Sequence, residues 1–170
     1  MSNIIANISS SYACTLRTGI GFDAHKFSLN TKKTLWLAGL QWDGQGIEGD
    51  SDGDVAIHAL IDALLSAAQL GDIGTVFGVG KNSRGAGMSG KIMLAEVVAL
   101  LQANKWSVQN ASIIIIGNRP HISQRREEAQ QILSEILHAP VSITATTTDG
   151  MGWTGNGEGL ACQAQVLLKN

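Results

Sequence analysis

Residues 54–70 read Asp-Val-Ala-Ile-His-Ala-Leu-Ile-Asp-Ala-Leu-Leu-Ser-Ala-Ala-Gln-Leu, and this run decides the fold. Its apolar members Val55, Ile57, Ala59, Leu60, Ile61, Ala63, Leu64, Leu65 and Ala68 wrap most of a helix, so the helix is buried on more than one side. Such a helix needs a sheet beneath it and other elements beside it. The spacing predicts strands over 17–25 and 34–40 before it. After it come a helix over 89–104, a buried strand over 111–116, a helix over 123–138 and strands over 141–147 and 160–169. Strands interrupted by helices predict an α/β (α+β) fold, a mixed sheet covered on one face by helices.

The chain has 170 residues, 44% of them hydrophobic and 15% charged, which suits one domain with a sizeable core. The low charged fraction predicts that further surface is buried against other subunits. Twelve basic residues against 14 acidic ones leave a net charge of −2, so the electrostatic basis for holding a nucleic acid is missing. No run reaches the length of a membrane span. Residues 1–16 lack a basic n-region and a continuous apolar segment, and are expected to form a disordered extension before a single domain over 17–170. Cys14 and Cys162 are far apart and form no CxxC, consistent with a reducing cytoplasm.

Glycine is concentrated in three loops, 39–53, 71–90 and 150–159, and long glycine-rich loops in a compact domain point to a site or to interfaces. In Asp23-Ala24-His25 the two polar side chains project from one face of a strand, and His58 on the long helix offers a third ligand. An Asp/His/His set suits a zinc ion with one open position. Asp54, His58 and Asp62 share a helical face, so that a carboxylate can orient the imidazole. The same residues also fit a plainer account, in which His25 ends a strand, His58 is a satisfied core histidine and the aspartates cap the helix. Both accounts stay open at this level. Calcium is disfavoured, because a loop starting at Asp50 has Val55 and Ile61 where an EF-hand needs glycine and glutamate. Residues 75–82 lack the first glycine and the Ser/Thr of a Walker A loop, and Gly19-Ile20-Gly21 lacks the third glycine of a dinucleotide fingerprint. The three hydroxyls Thr146-Thr147-Thr148 before Asp149 suit either a phosphate site with a divalent cation or a β-rich turn.

Four segments in this order resemble the 2-C-methyl-D-erythritol 2,4-cyclodiphosphate synthase family, in its actinobacterial-like branch. They are Gly21-Phe22-Asp23-Ala24-His25, residues 51–60 beginning Ser51-Asp52-Gly53-Asp54, Leu70-Gly71-Asp72-Ile73-Gly74, and residues 145–159. The resemblance covers residues 17–168. It implies a cytoplasmic homotrimer with active sites between subunits, releasing CMP from a cytidine diphosphate substrate by intramolecular phosphoryl transfer. It implies zinc on Asp23, His25 and His58, and magnesium or manganese on Asp149. Asp72, Thr147 and Asp62 would serve the catalytic region. Ser51, in the loop that closes over the substrate, would contact the ligand, as would Arg126. Thr146 and Thr147 would bind phosphate, and Asp72, Ile73 and Gly74 the erythritol hydroxyls. Gly117, Pro120, His121 and Ile122, together with Ala145 to Thr147 from the adjacent subunit, would line the cytidine pocket. Phe22 and Trp153 would line a central cavity.

The chain departs from the family pattern at a few positions. Asp50 stands where histidine normally precedes Ser-Asp-Gly-Asp, and a carboxylate there should weaken anion binding unless the loop turns it outward. His121 stands where lysine is common, Asn156 where arginine is common, and residues 78–82 lack the usual aspartate. Asp50, His121 and the altered loop after Phe77 motivate the rival reading, a non-catalytic trimeric protein that binds zinc and cytidine nucleotides. Trp36, Trp42 and Trp106 are read as core or interface residues, and residues 125–128 as a solvated helical face.

Overall fold

The computed structural model describes residues 15–170. The expected extension over 1–16 therefore falls, through Cys14, outside the described residues, and Leu16 already opens the first strand. Four strands form the main sheet in the order β1 (Leu16–Lys26), β6 (Gly159–Lys169), β4 (Ser107–Ile116), β5 (Val141–Thr146). β6 pairs antiparallel with both neighbours, while β4 and β5 run parallel. A parallel pair needs a crossover, and α4 (Arg126–Leu137) provides it after a short 3-10 turn, Ile122–Gln124. The sheet is mixed, as expected, and its inward residues meet one helical layer of α1 (Val55–Ala68), α3 (Gly90–Ala103) and α4.

The residues 34–40 do not form one strand. β2 (Leu35–Leu37) and β3 (Leu40–Trp42) make a hairpin whose turn is Ala38-Gly39, with φ of 52° and 78°. Positive φ at both central positions is the turn that matches strand twist, and glycine at the second makes it accessible. A continuous apolar reading of the segment hid that turn. Two short helices, α2 (Ile73–Phe77) and α5 (Gly152–Gly155), also fall within the glycine-rich loops.

The position of α1 depends on two residues without side chains. A β-carbon on Gly19 would lie 2.0 Å from the Ala63 carbonyl oxygen, and one on Gly21 2.0 Å from that of Ala59. Helix backbone thus rests on strand backbone, closer than any side chain would permit. Asp54, buried, begins the helix: its carboxylate accepts from the amides of Ala56 and Ile57, and also from Ala38 (2.8 Å) and Gly39 (2.7 Å) in the hairpin turn. One side chain therefore joins the start of α1 to the β2–β3 turn. Trp42 and Trp106 are buried, as expected. The outer face of the sheet carries exposed Leu16, Ile20, Phe22 and Ile114.

Candidate functional site

Asp23 and His25 leave the C-terminal part of β1 on its helix-facing side, because even steps along a strand share a face. His58 comes down from the first turn of α1 onto the same spot. The Asp23 carboxylate oxygen Oδ2 lies 3.0 Å from Nδ1 of His58 and 2.9 Å from Nδ1 of His25. One ligand atom from each of the three residues lies within 4.8 Å of the others, a potential metal-binding triad. The contact to His58 is a hydrogen bond; that to His25 has the distance without the alignment, leaving His25 Nδ1 buried and without a partner. A buried, unsatisfied ring nitrogen beside a carboxylate and a second imidazole is a donor set suited to a divalent cation.

The electrostatics agree with that reading. Burial alone would raise the Asp23 carboxyl, but the adjoining His25 and His58 outweigh it and draw the pKa down to about 2. Burial alone would lower His58, yet the hydrogen bond and charge of Asp23 raise it above its ordinary value. On its far side, Nε2 of His58 is 2.8 Å from the Ser51 hydroxyl. Ser51, rather than Asp54 or Asp62, is thus the partner that orients the ring from behind. Asp54 is occupied with backbone amides, as described, and Asp62 accepts from the Ile73 amide at 2.7 Å. Burial raises the Asp62 carboxyl, with a smaller contribution from the charge of Asp72.

Asp23, His25, Ser51, His58 and Asp62 border a cavity of about 200 Å³ whose walls also include Asp50, Ile73, Gly74, Phe77, Val79 and Met93. Asp72 is exposed beside it and caps α2, accepting from the amide and hydroxyl of Thr75, both at 2.7 Å. Those bonds hold its carboxyl below the usual range. The Ile73 amide, expected to face hydroxyls of a ligand, is already held by Asp62. Asp50 is not turned away from its surroundings: its carboxylate accepts from the Gly80 amide at 3.0 Å.

A second group gathers elsewhere. Because β4 and β5 run parallel, their C-terminal ends lie side by side, and the Gly117 amide donates to the Thr146 carbonyl at 3.0 Å. Gly117 therefore adjoins Thr146 within one chain, and the turn that Ile122 opens contacts β5. Asp149, in the left-handed region at φ 50°, sits just beyond, within 3.3 Å of the Thr147 hydroxyl. None of this group lines the cavity of the Asp23 cluster. Arg126 opens α4 with its Nε buried and unpartnered, while Arg125 pairs with Glu128 at 2.7 Å and lies over Trp42. Trp153 borders a shallow cleft with Ala24, His25, Lys26 and Glu158, and Phe22 projects from the outer face of β1.

The model of the YgbB family matches residues 16–169. The chain is 55% identical over 164 residues to the 2-C-methyl-D-erythritol 2,4-cyclodiphosphate synthase of Bifidobacterium longum (strain NCC 2705), covering 89% of this chain and 94% of that one. Among solved structures, the bifunctional IspDF of Campylobacter jejuni superposes with a TM-score of 0.85 at 31% identity, over 92% of this chain and 43% of that one. The CDP complex of Plasmodium falciparum IspF gives a TM-score of 0.78 at 30% identity, over 90% of this chain and 95% of the other.

Proposed function

The chain belongs to the YgbB family, and on that footing we propose that it converts 4-diphosphocytidyl-2-C-methyl-D-erythritol 2-phosphate into 2-C-methyl-D-erythritol 2,4-cyclodiphosphate and CMP in non-mevalonate isoprenoid synthesis. An oxygen of the 2-phosphate forms a bond to the β-phosphorus, and the bond from that phosphorus to the CMP oxygen breaks, CMP leaving with the electron pair. The observation that carries the reading is the Asp23, His25 and His58 cluster beside a cavity, with its orphaned buried nitrogen.

In this proposal Asp23, His25 and His58 hold zinc, and Asp149, with the Thr147 hydroxyl beside it, holds magnesium or manganese. Divalent cations at these positions supply charge neutralisation of the diphosphate and polarisation of the phosphorus under attack. The protein's own groups then orient the reactant. Thr146 and Thr147 donate to phosphate oxygens, and Asp72 and Gly74 receive the erythritol hydroxyls. Asp62 acts through the Ile73 amide, holding the start of α2 against the cavity. Gly117, Pro120, His121, Ile122 and Ala145 receive the cytidine, with Arg126 at its edge. Catalysis by positioning and charge, with no covalent nucleophile, suits this set.

The two groups of residues stand apart in one chain, which supports a site completed by a second subunit. The exposed apolar residues of the outer sheet face and the low charged fraction support a homotrimer, with Phe22 and Trp153 toward its central cavity. No helix among the described residues is long and apolar enough to cross a membrane, and the proposed compartment is the cytoplasm.

The test is turnover of the cytidine diphosphate substrate by zinc-loaded protein with magnesium, followed by phosphorus NMR. Stoichiometric CMP and cyclic diphosphate are expected. Bound zinc and bound cytidine nucleotide without product would establish the non-catalytic reading instead, and release of inorganic phosphate would mark a phosphohydrolase.

A further inference from the structure

Asp50 touches the 78–87 loop twice. Its carboxylate accepts from the Gly80 amide at 3.0 Å and its carbonyl from the Gly87 amide at 2.8 Å, so one residue grips both ends of the segment. Within the segment, Gly78 and Gly80 have φ of 78° and 89°, and between them Val79, 85% exposed, borders the mouth of the cavity. The next residue, Ser51, holds Nε2 of His58, and Asp52 accepts from the Gly90 amide at 2.6 Å. Consecutive side chains therefore tie the loop, the imidazole and the start of α3 to one strip of backbone.

We propose that Asp50, although it lines the cavity, is a positioning residue whose carboxylate is committed to latching the Gly78–Gly80 turn across the cavity mouth, so that it serves loop closure over the substrate. The backbone contact to Gly87 persists whatever side chain stands at 50, whereas the Gly80 bond belongs to the carboxylate alone. Without it, the turn keeps the Gly78 amide's bond to the Gly74 carbonyl and the Ser83 amide's bond to the Gly80 carbonyl, both 2.9 Å, but the Gly80 amide loses its acceptor at a glycine with positive φ.

The inference rests on the synthase reading, and the test separates the two. Amide hydrogen exchange at Gly80 is measured without substrate in wild type, Asp50→Ala and Asp50→Asn, and KM and kcat are then determined for each. Asparagine keeps an acceptor oxygen without the charge. The latch predicts roughly tenfold faster Gly80 exchange in Asp50→Ala, with protection retained in Asp50→Asn. It also predicts KM raised roughly five- to tenfold in Asp50→Ala, at little change in kcat, and largely restored in Asp50→Asn. Equal Gly80 exchange in all three proteins, or KM lowered in both variants, would overturn the latch; the second result would show a carboxylate that repels substrate. Absence of turnover in wild type would count against the synthase reading, while Gly80 exchange would still decide the latch.

Discussion

The hydroxyl of Ser51 lies 2.8 Å from Nε2 of His58, on the side of the ring opposite Asp23. A ring held at both nitrogens has a defined rotation, and on the proposed metal reading the nitrogen facing Asp23 is the one presented to the cation. Partners of this kind are commonly worth 10- to 100-fold in metal affinity. Ser51→Ala should therefore lower zinc affinity by roughly 10- to 100-fold while the protein stays folded. His58→Ala should go further, removing zinc and turnover together. Zinc titration against a competing chelator measures both, and full activity in metal-free protein would sink the assignment of the site.

Gly21→Ala places a methyl group 2.0 Å from the Ala59 carbonyl oxygen, in a contact between two backbones that have no rotamer to change. The helix must lift from β1. We expect a loss of about 3 kcal/mol, at the upper end of overpacking effects, and a Tm lower by roughly 6–12 °C. Because the same helix carries His58, zinc affinity should fall as well. A variant with unchanged Tm would show that α1 has slack over the strand.

Asp54→Ala removes an acceptor from four amides at once, those of Ala38, Gly39, Ala56 and Ile57. The loss combines a helix cap with buried donors left without partners, about 3–5 kcal/mol. Urea denaturation would report it as a lower midpoint. A change below about 1 kcal/mol would mean that water replaces the carboxylate at little cost.

Metal-free protein should show a stability window set by Asp23 together with the adjoining His25 and His58. The fall of Asp23 from its ordinary 3.8 to about 2 corresponds to ~2 kcal/mol, present in full above the ordinary value and lost as pH drops toward the lowered one. His58 is raised from 6.5, so its share is complete below 6.5 and is lost as pH rises through the raised value. Wild type should therefore exceed Asp23→Asn in Tm by roughly 4–8 °C between about pH 4 and 6.5, the margin narrowing on either side. A margin independent of pH would show that Asp23 and its histidine neighbours do not couple in this way.

The apolar wrap of residues 54–70 makes α1 legible in the sequence, and alternation along β1 puts Asp23 and His25 on one face without recourse to the fold. The hairpin over 35–42 was hidden because its turn is a single Ala-Gly step inside an apolar run, and only the backbone angles reveal it. The Ser51 contact to His58 was equally out of reach, since it needs the loop before α1 to fold back over the helix it precedes. Helical spacing suggested Asp54 and Asp62 as partners of the imidazole, but amides of other segments claim both carboxylates. Spacing along one element shows which side chains share a face; competition from donors elsewhere in the fold decides what they bind.

The direct contact of α1 with β1 at Gly19 and Gly21 acts as a ruler. Since strand and helix meet without intervening side chains, the separation of the three donors is set by folding itself, before any ion arrives. On the proposed metal reading, uptake then becomes insertion into a finished seat, with little conformational entropy left to lose, unlike small zinc modules that fold only around their ion. The same rigidity restricts choice. A larger ion, or a different ligand at one of the three positions, cannot be accommodated by relaxing the helix, so retuning this centre has to begin with the two glycines that carry no chemistry of their own.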